Sequence, residues 1–168
     1  KRPGTFIQAA VGCSLYRARF IGKSSHAAVA PEKGVNAIQI AAKAISRIPM
    51  GRLSPTMTSN IGMITGGTAT NVVPDQCVVH GEVREFEPNL ITEHLEMLDA
   101  TFRSTALASG GEVEFLPSVD FAPFRLKPTD QAFEIAVETL ESVGLSAHPI
   151  DYLGGSDANM LNAKGIPS

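Results

Sequence analysis

The order of periodicities between Leu15 and Leu116 constrains this chain more than any other feature. Leu15, Arg17, Arg19 and Ile21 alternate with Tyr16, Ala18 and Phe20, the two-residue period of a strand with one covered face. Val35, Ile38, Ala41, Ala42, Ile45 and Ile48 then recur at spacings of three and four, which makes one helical stripe. Pro31 stands near the start, where a missing N–H costs nothing, Glu32 suits the positive helix N-terminus, and Pro49 ends the run. Residues 56–64 and 72–86 read as strands separated by Gly66-Gly67-Thr68. Pro88 opens a second helix with a stripe of Ile91, Leu95, Leu98, Phe102 and Ala106, stopped by Gly110-Gly111, and residues 112–116 form a strand. The order β-α-β-β-α-β predicts an α+β fold: a ferredoxin-like sandwich, two helices on one face of a four-stranded antiparallel sheet.

The flanks do not belong to that sandwich. Residues 5–11 form a β-like run, with Gly12 as the break before the next strand. After Pro117 the texture changes, and Phe121-Ala122-Pro123-Phe124 reads as a linker. A third helix follows Pro128-Thr129-Asp130, with Phe133, Leu140 and Val143 on its stripe and Gly144 at its end. Residues 147–153 form a short strand that runs into Gly154-Gly155-Ser156-Asp157 and a short helix to Ala163. A strand-Gly-Gly-Ser-helix unit belongs to an α/β layer. The expected division is therefore 1–13, the end of one segment of an α/β domain; 14–120, the sandwich; and 121–168, a second segment of the α/β domain. The chain opens on Lys1 without a Met and stops at Ser168 with no strand to follow, which reads as an excerpt from a longer polypeptide.

Composition removes several function classes. A net charge of −3 with scattered basic residues gives no footprint for nucleic acid. No apolar run approaches the roughly 20 residues needed to cross a bilayer. Hydrophobic residues make up 43 %, enough for a core; with aromatics at 6 % and no Trp, that core is expected to be aliphatic. Cys13 and Cys77, each in an apolar β-like run, read as small buried hydrophobes and not as a disulfide or metal pair. A reducing, cytoplasmic setting fits them.

Four places carry candidate chemistry. His26 sits in Gly22-Lys23-Ser24-Ser25-His26-Ala27, a turn of small residues that lets another surface approach. Its plain reading is a locally bonded turn histidine; its chemical reading is a donor or acceptor usable near neutral pH. Asn71 lies in Gly66-Gly67-Thr68-Ala69-Thr70-Asn71-Val72-Val73-Pro74, loop composition in which an amide also offers two donors and an acceptor without a charge. Arg84 is flanked by Glu82 and Glu85 on an alternating strand, which suits a surface ion pair, or a two-point grip on a carboxylate. Gly154, Gly155, Ser156 and Asp157 make a tight turn with a helix cap that also exposes backbone N–H groups to a ligand.

Taken together, these motifs resemble those of the M20 family of zinc peptidases, in its peptidase T-like branch, over nearly the whole chain. The resemblance implies a sandwich that acts as a lid and dimerisation domain, a homodimer, and hydrolysis of short peptides. It implies that His26 stabilises the oxyanion in a partner's active site, that Asn71 and Arg84 hold substrate, and that residues 154–157 line the pocket. It also implies two zinc ions, whose ligands lie outside this chain: there is no His-x-Asp, no Glu-Glu pair and no clustered ligand set here, so no metal-binding residue is assigned. Alone, the chain is expected to be inactive. Three alternatives stay open: a related M20 amidohydrolase acting on N-acyl or N-carbamoyl amino acids; a stand-alone ferredoxin-like module that binds a small ligand; and a dimerisation scaffold without ligand contacts.

Overall fold

The computed structural model describes residues 2–168. Strands β1 (Thr5–Ala10) and β2 (Gly12–Ile21) are separated by Val11 alone, yet they belong to different sheets. The chain continues through the two-residue strand β3 (Ser25–His26), a 3-10 turn (Pro31–Lys33), α1 (Ala37–Ile45), β4 (Gly51–Arg52) and β5 (Thr58–Gly66). Next come β6 (Val72–Val73), β7 (Gln76–Glu85), α2 (Pro88–Ala108) and β8 (Glu112–Phe121). It ends with β9 (Phe124–Arg125), α3 (Gln131–Ser142), β10 (His148–Tyr152) and α4 (Asp157–Ala163).

The larger sheet has the order β4-β5-β7-β2-β8, antiparallel throughout. Its four main strands and two helices make the ferredoxin-like arrangement that the periodicities predict. Alternation chooses the covered face. Tyr16, Ala18 and Phe20 of β2 are buried with Val79 and Val83 of β7 and with Leu98, Phe102 and Ala106 of α2. The intervening residues of β2 and β7, among them Arg17, Arg19, Glu82 and Arg84, fall on the opposite face.

Three local expectations need correction. Pro31 and Glu32 do not open α1; they form the separate 3-10 turn, and Asn36 caps the helix, its Oδ1 accepting the Gln39 N–H at 3.0 Å. The stripe of α1 is also shifted in part: Ala41 and Ile48 are buried and Val35 and Ile45 pack against the core as expected, but Ile38 is 40 % exposed and Ala42 lies outside, and Ala37, Ile40 and Ala44 are buried instead. A count of hydrophobicity favours isoleucine at 38, but contact with the sheet and α2 selects the face whose small side chains allow close approach. Finally, β8 does not stop before Pro117 but runs on to Phe121. It is an edge strand, and an edge tolerates the N–H that proline lacks.

The core is not aliphatic at its centre. Phe102 packs against Phe20, Phe115 and Tyr16 at ring-centroid distances of 5.4, 5.9 and 6.5 Å, and Tyr16 meets Phe115 at 5.4 Å. Aromatics are scarce in this chain, but scarcity did not disperse them: four gather where β2, β8 and α2 meet.

The smaller sheet, β10-β1-β9, pairs β1 with β10 in parallel and with β9 antiparallel. Phe6 of β1 packs edge-on against Phe133 of α3 at 5.2 Å. Arg125 grips Asp151 with two hydrogen bonds of 3.0 and 2.7 Å, and Gln8 donates to the same carboxylate at 3.0 Å. The parallel pair has the α/β character expected of the flanks.

Both cysteines are free, buried thiols. Burial pushes the Cys13 thiol from 9.0 up to about 11, against the pull of the Arg84 charge, and pushes the Tyr16 phenol from 10.0 up to about 12. Both groups are therefore held neutral by folding. Their contribution is complete below their ordinary values and is lost as pH rises through the raised ones. On the alkaline side of neutrality the thermal midpoint is expected to hold up to about pH 9 and to fall from there to about pH 12. The double variant Cys13→Ala, Tyr16→Phe makes that limb shallower, leaving the part due to Cys77, whose thiol is also pushed up by burial; an equally steep limb in the variant contradicts this origin.

Candidate functional site

His26 is placed by a miniature ladder. Ser25 and His26 pair antiparallel with Val73 and Val72, and the Ala27 N–H donates to the Asn71 carbonyl at 2.9 Å. Two motifs that are 45 positions apart in the chain (71 − 26) thus become neighbours. The ribbon is anchored where β2 ends and β7 begins: Gly22 N–H donates to Asp75 O at 2.8 Å, and Lys23 exchanges backbone bonds with Val35 at 2.9 and 2.8 Å. The β3–β6 ladder has no sequence signature, since two-residue strands show no period.

The imidazole of His26 is exposed, and its Nδ1 accepts the backbone N–H groups of Ala28 at 3.2 Å and Val29 at 3.3 Å. A ring nitrogen that accepts carries no proton, so the neutral tautomer holds its hydrogen on Nε2. The turn therefore presents Nε2–H outward as a donor. Asn71 is exposed beside it.

Arg84 stands at the other end of the sheet, opposite Cys13 in the β2–β7 register. It makes two bonds to Glu82, Nε to Oε1 and Nη2 to Oε2, both at 2.9 Å. This pair raises the arginine's affinity for its proton further still. Glu85 does not share the guanidinium. It points to the covered face, 1 % exposed, and accepts from Thr56 Oγ1 at 2.8 Å and from Phe86 N–H at 2.6 Å. The Arg84 guanidinium also lies over the Phe121 ring, 5.8 Å from its centroid.

Residues 154–157 meet the same ring from another side. A Cβ on Gly155 would run into the Phe121 ring carbons, so any larger residue there would push the ring aside. Ser156 is the N-cap residue of α4, and its N–H donates to Asn159 Oδ1 at 2.9 Å. Asn159 belongs to the same sequence cluster but was not singled out; the Ser156-x-x-Asn159 spacing of a reciprocal cap is the signal that marks it.

The structure thus gathers the candidates into two groups. His26 and Asn71 share the ribbon at one end of the larger sheet; Arg84 and residues 154–157 share Phe121 at the other. The ten residues of β2 separate them, about 30 Å at the usual strand rise. Within one chain the two groups do not face a common small substrate. Among the described residues, no three His, Cys, Asp or Glu side chains gather into a group able to hold a metal. The residues present do not fit a zinc pair, and the roles open to them are hydrogen bonding, positioning and shape.

Residues 9–109 match the peptidase dimerisation domain of the M20 family, and the chain belongs to that family. A tripeptidase from Staphylococcus aureus subsp. aureus Mu50 superposes with a TM-score of 0.89 at 38 % identity, over 98 % of this chain and 44 % of that one. The aminopeptidase PepT of Bacillus cereus ATCC 10987 superposes with a TM-score of 0.88 at 36 % identity, over 99 % and 45 %. A curated relative, the uncharacterised YqjE of Bacillus subtilis (strain 168), is 38 % identical over 98 % of this chain and 44 % of its own length. The chain therefore spans less than half the length of the relatives it matches.

Proposed function

We propose that the full-length protein carrying this chain is a hydrolase of short peptides, a tripeptide aminopeptidase-like exopeptidase that works as a homodimer. The observation that carries the reading is the outward Nε2–H of His26, fixed on a ribbon about 30 Å from the Arg84 end of its own sheet. A donor held so far from its own chain's loop is suited to a second copy's site. The likeness to a tripeptidase and to an aminopeptidase supports the substrate class.

In this reading residues 14–120 are the dimerising lid, and residues 1–13 and 121–168 are segments of the catalytic α/β domain. His26 donates to the oxyanion that forms when the peptide carbonyl is attacked, a preplaced donor of the kind that lowers a barrier by a few kcal/mol, about 10²- to 10³-fold in rate. Asn71 binds the peptide backbone through its amide. Arg84 takes the substrate carboxylate, which competes with Glu82 for the guanidinium. Gly154, Gly155, Ser156 and Asp157 close the pocket. The family resemblance implies two zinc ions, bound by residues other than these, and a cytoplasmic location. No helix among the described residues is long and apolar enough to cross a membrane.

The test is direct. Full-length protein is expected to hydrolyse a tripeptide and to lose that activity when its metal is chelated, while the 168-residue chain alone gives none. Preference for an N-acyl or N-carbamoyl amino acid over the tripeptide moves the protein to the amidohydrolases. Turnover by the isolated chain overturns the division of labour.

A further inference from the structure

Among the described residues the chain crosses between its two sheets twice, at Val11 between β1 and β2 and at residues 122–123 between β8 and β9. One side chain holds both crossings. Asn159, in the first turn of α4 and 1 % exposed, donates from Nδ2 to the Val11 carbonyl at 3.0 Å and to the Ala122 carbonyl at 2.8 Å. Its Oδ1 accepts the Ser156 N–H at 2.9 Å. Val11 is tied on its other side as well, its N–H donating to the carbonyl of Tyr152 at the end of β10 at 3.2 Å. The crossings themselves are in close contact: a Cβ on Gly12 would lie 2.9 Å from Pro123 N.

Leucine has the same count and branching of side-chain heavy atoms as asparagine, with bulkier methyl groups, and has no polar atoms to satisfy. What it lacks is direction. A carboxamide carries two donors and an acceptor in one plane, and here all three are used, each on a different backbone segment. Two of those segments join the sheets and the third is the 154–157 loop. The two crossings and the loop are therefore tied to one another through a single carboxamide.

We infer that Asn159 is a positioning residue: it sets the orientation of the five-stranded layer on the three-stranded layer and registers the Gly154–Asp157 loop to it. The orientation claim stands on the geometry alone; only its effect on turnover rests on the peptidase reading. Asn159→Asp keeps an acceptor for the Ser156 N–H but turns an oxygen toward two carbonyls. Asn159→Leu keeps the branched outline, with some added bulk, and removes every bond.

The test uses full-length protein carrying spin labels at Leu107→Cys and Val143→Cys, which are 79 % and 67 % exposed in this chain, mixed with an excess of unlabelled protein so that a dimer holds one labelled copy, and with any other exposed cysteine replaced. The distance between them reports the angle between the layers. The expected result is a narrow distribution with Asn159 and a shifted or broadened one in both variants, with kcat/KM for a tripeptide reduced about tenfold or more and most of the loss in kcat. A residue that only adds stability lowers the melting point and leaves the distribution of the folded molecules as it was; that outcome overturns the inference. So does failure of both variants to fold, which makes Asn159 a core residue and nothing more. A changed distribution in a protein that cleaves no peptide upholds the inference and defeats the peptidase reading.

Discussion

In the peptidase reading proposed above, replacing His26 by alanine in the full-length protein is expected to lower kcat/KM for a tripeptide by about 10²- to 10³-fold, the usual consequence of removing one preplaced oxyanion donor. Folding, and the proposed dimer, are expected to stay intact. The side chain is exposed, and its bonds inside the chain are two local ones from Ala28 and Val29, typically worth about 0.5–1.5 kcal/mol each. The loss falls on kcat and kcat/KM together, because the bond forms with the charge that develops in the transition state. His26→Gln, whose amide offers a donor at a comparable reach, recovers part of the rate. A melting point lowered in step with activity would mean that the turn, and not the donor, was lost.

The same variant tests service to a second copy. Chains carrying His26→Ala and chains carrying Arg84→Ala are each expected to be nearly inactive as pure dimers. When they are mixed and allowed to exchange, half of the dimers contain one chain of each kind. If the histidine serves its partner, each mixed dimer holds one site with both residues intact, and activity returns to about a quarter of wild type. If it serves its own chain, every site lacks one residue and mixing restores nothing. The 30 Å, roughly, between the ribbon and Phe121 favours the first outcome.

The parts of this arrangement differ in how visible they were in the sequence. The strands of the larger sheet and α2 were legible because each buries one face over many residues, so a period could establish itself. Helix α1 was legible as a helix but only partly in its face: Ala41, Ile45 and Ile48 meet the core as expected, whereas Ala37 and Ala44 carry little hydrophobic signal and yet are buried beside Ile40. The β3–β6 ribbon was invisible because two residues carry no period, although the motifs on it were conspicuous by composition. Arg84 and its acidic neighbours were readable as an ion pair, but which glutamate answers depends on the strand's alternation: Glu82 lies on the arginine's face and Glu85 on the covered one. Asn159 lay within a conspicuous motif and escaped notice, because its role is set by backbone carbonyls from two distant crossings. Local pattern specifies elements; the long-range partners of a polar side chain are a property of the assembled chain.

Phe102→Ala is expected to destabilise the larger layer by about 3–5 kcal/mol, against total stabilities of about 5–15 kcal/mol for domains of this kind. Phe102 is fully buried and joins rings from β2 and β8 to α2, so its removal opens a cavity that no single neighbour can fill. Edge-to-face contacts add about 0.5–1.5 kcal/mol each beyond the area they bury. Phe102→Leu keeps much of the volume and loses only the ring geometry, so its cost is smaller, about 1–2 kcal/mol. Chemical denaturation followed by far-UV dichroism measures both; a cost below about 1 kcal/mol for the alanine would show that the surrounding side chains collapse into the space. The functional corollary separates platform from site. His26 is held by the ribbon's own backbone bonds and Arg84 by Glu82, so neither contacts Phe102 in order to keep its place. Under conditions where Phe102→Leu is fully folded its kcat/KM should match the wild type, whereas a drop there would mean that the aromatic cluster transmits the orientation of one end of the sheet to the other.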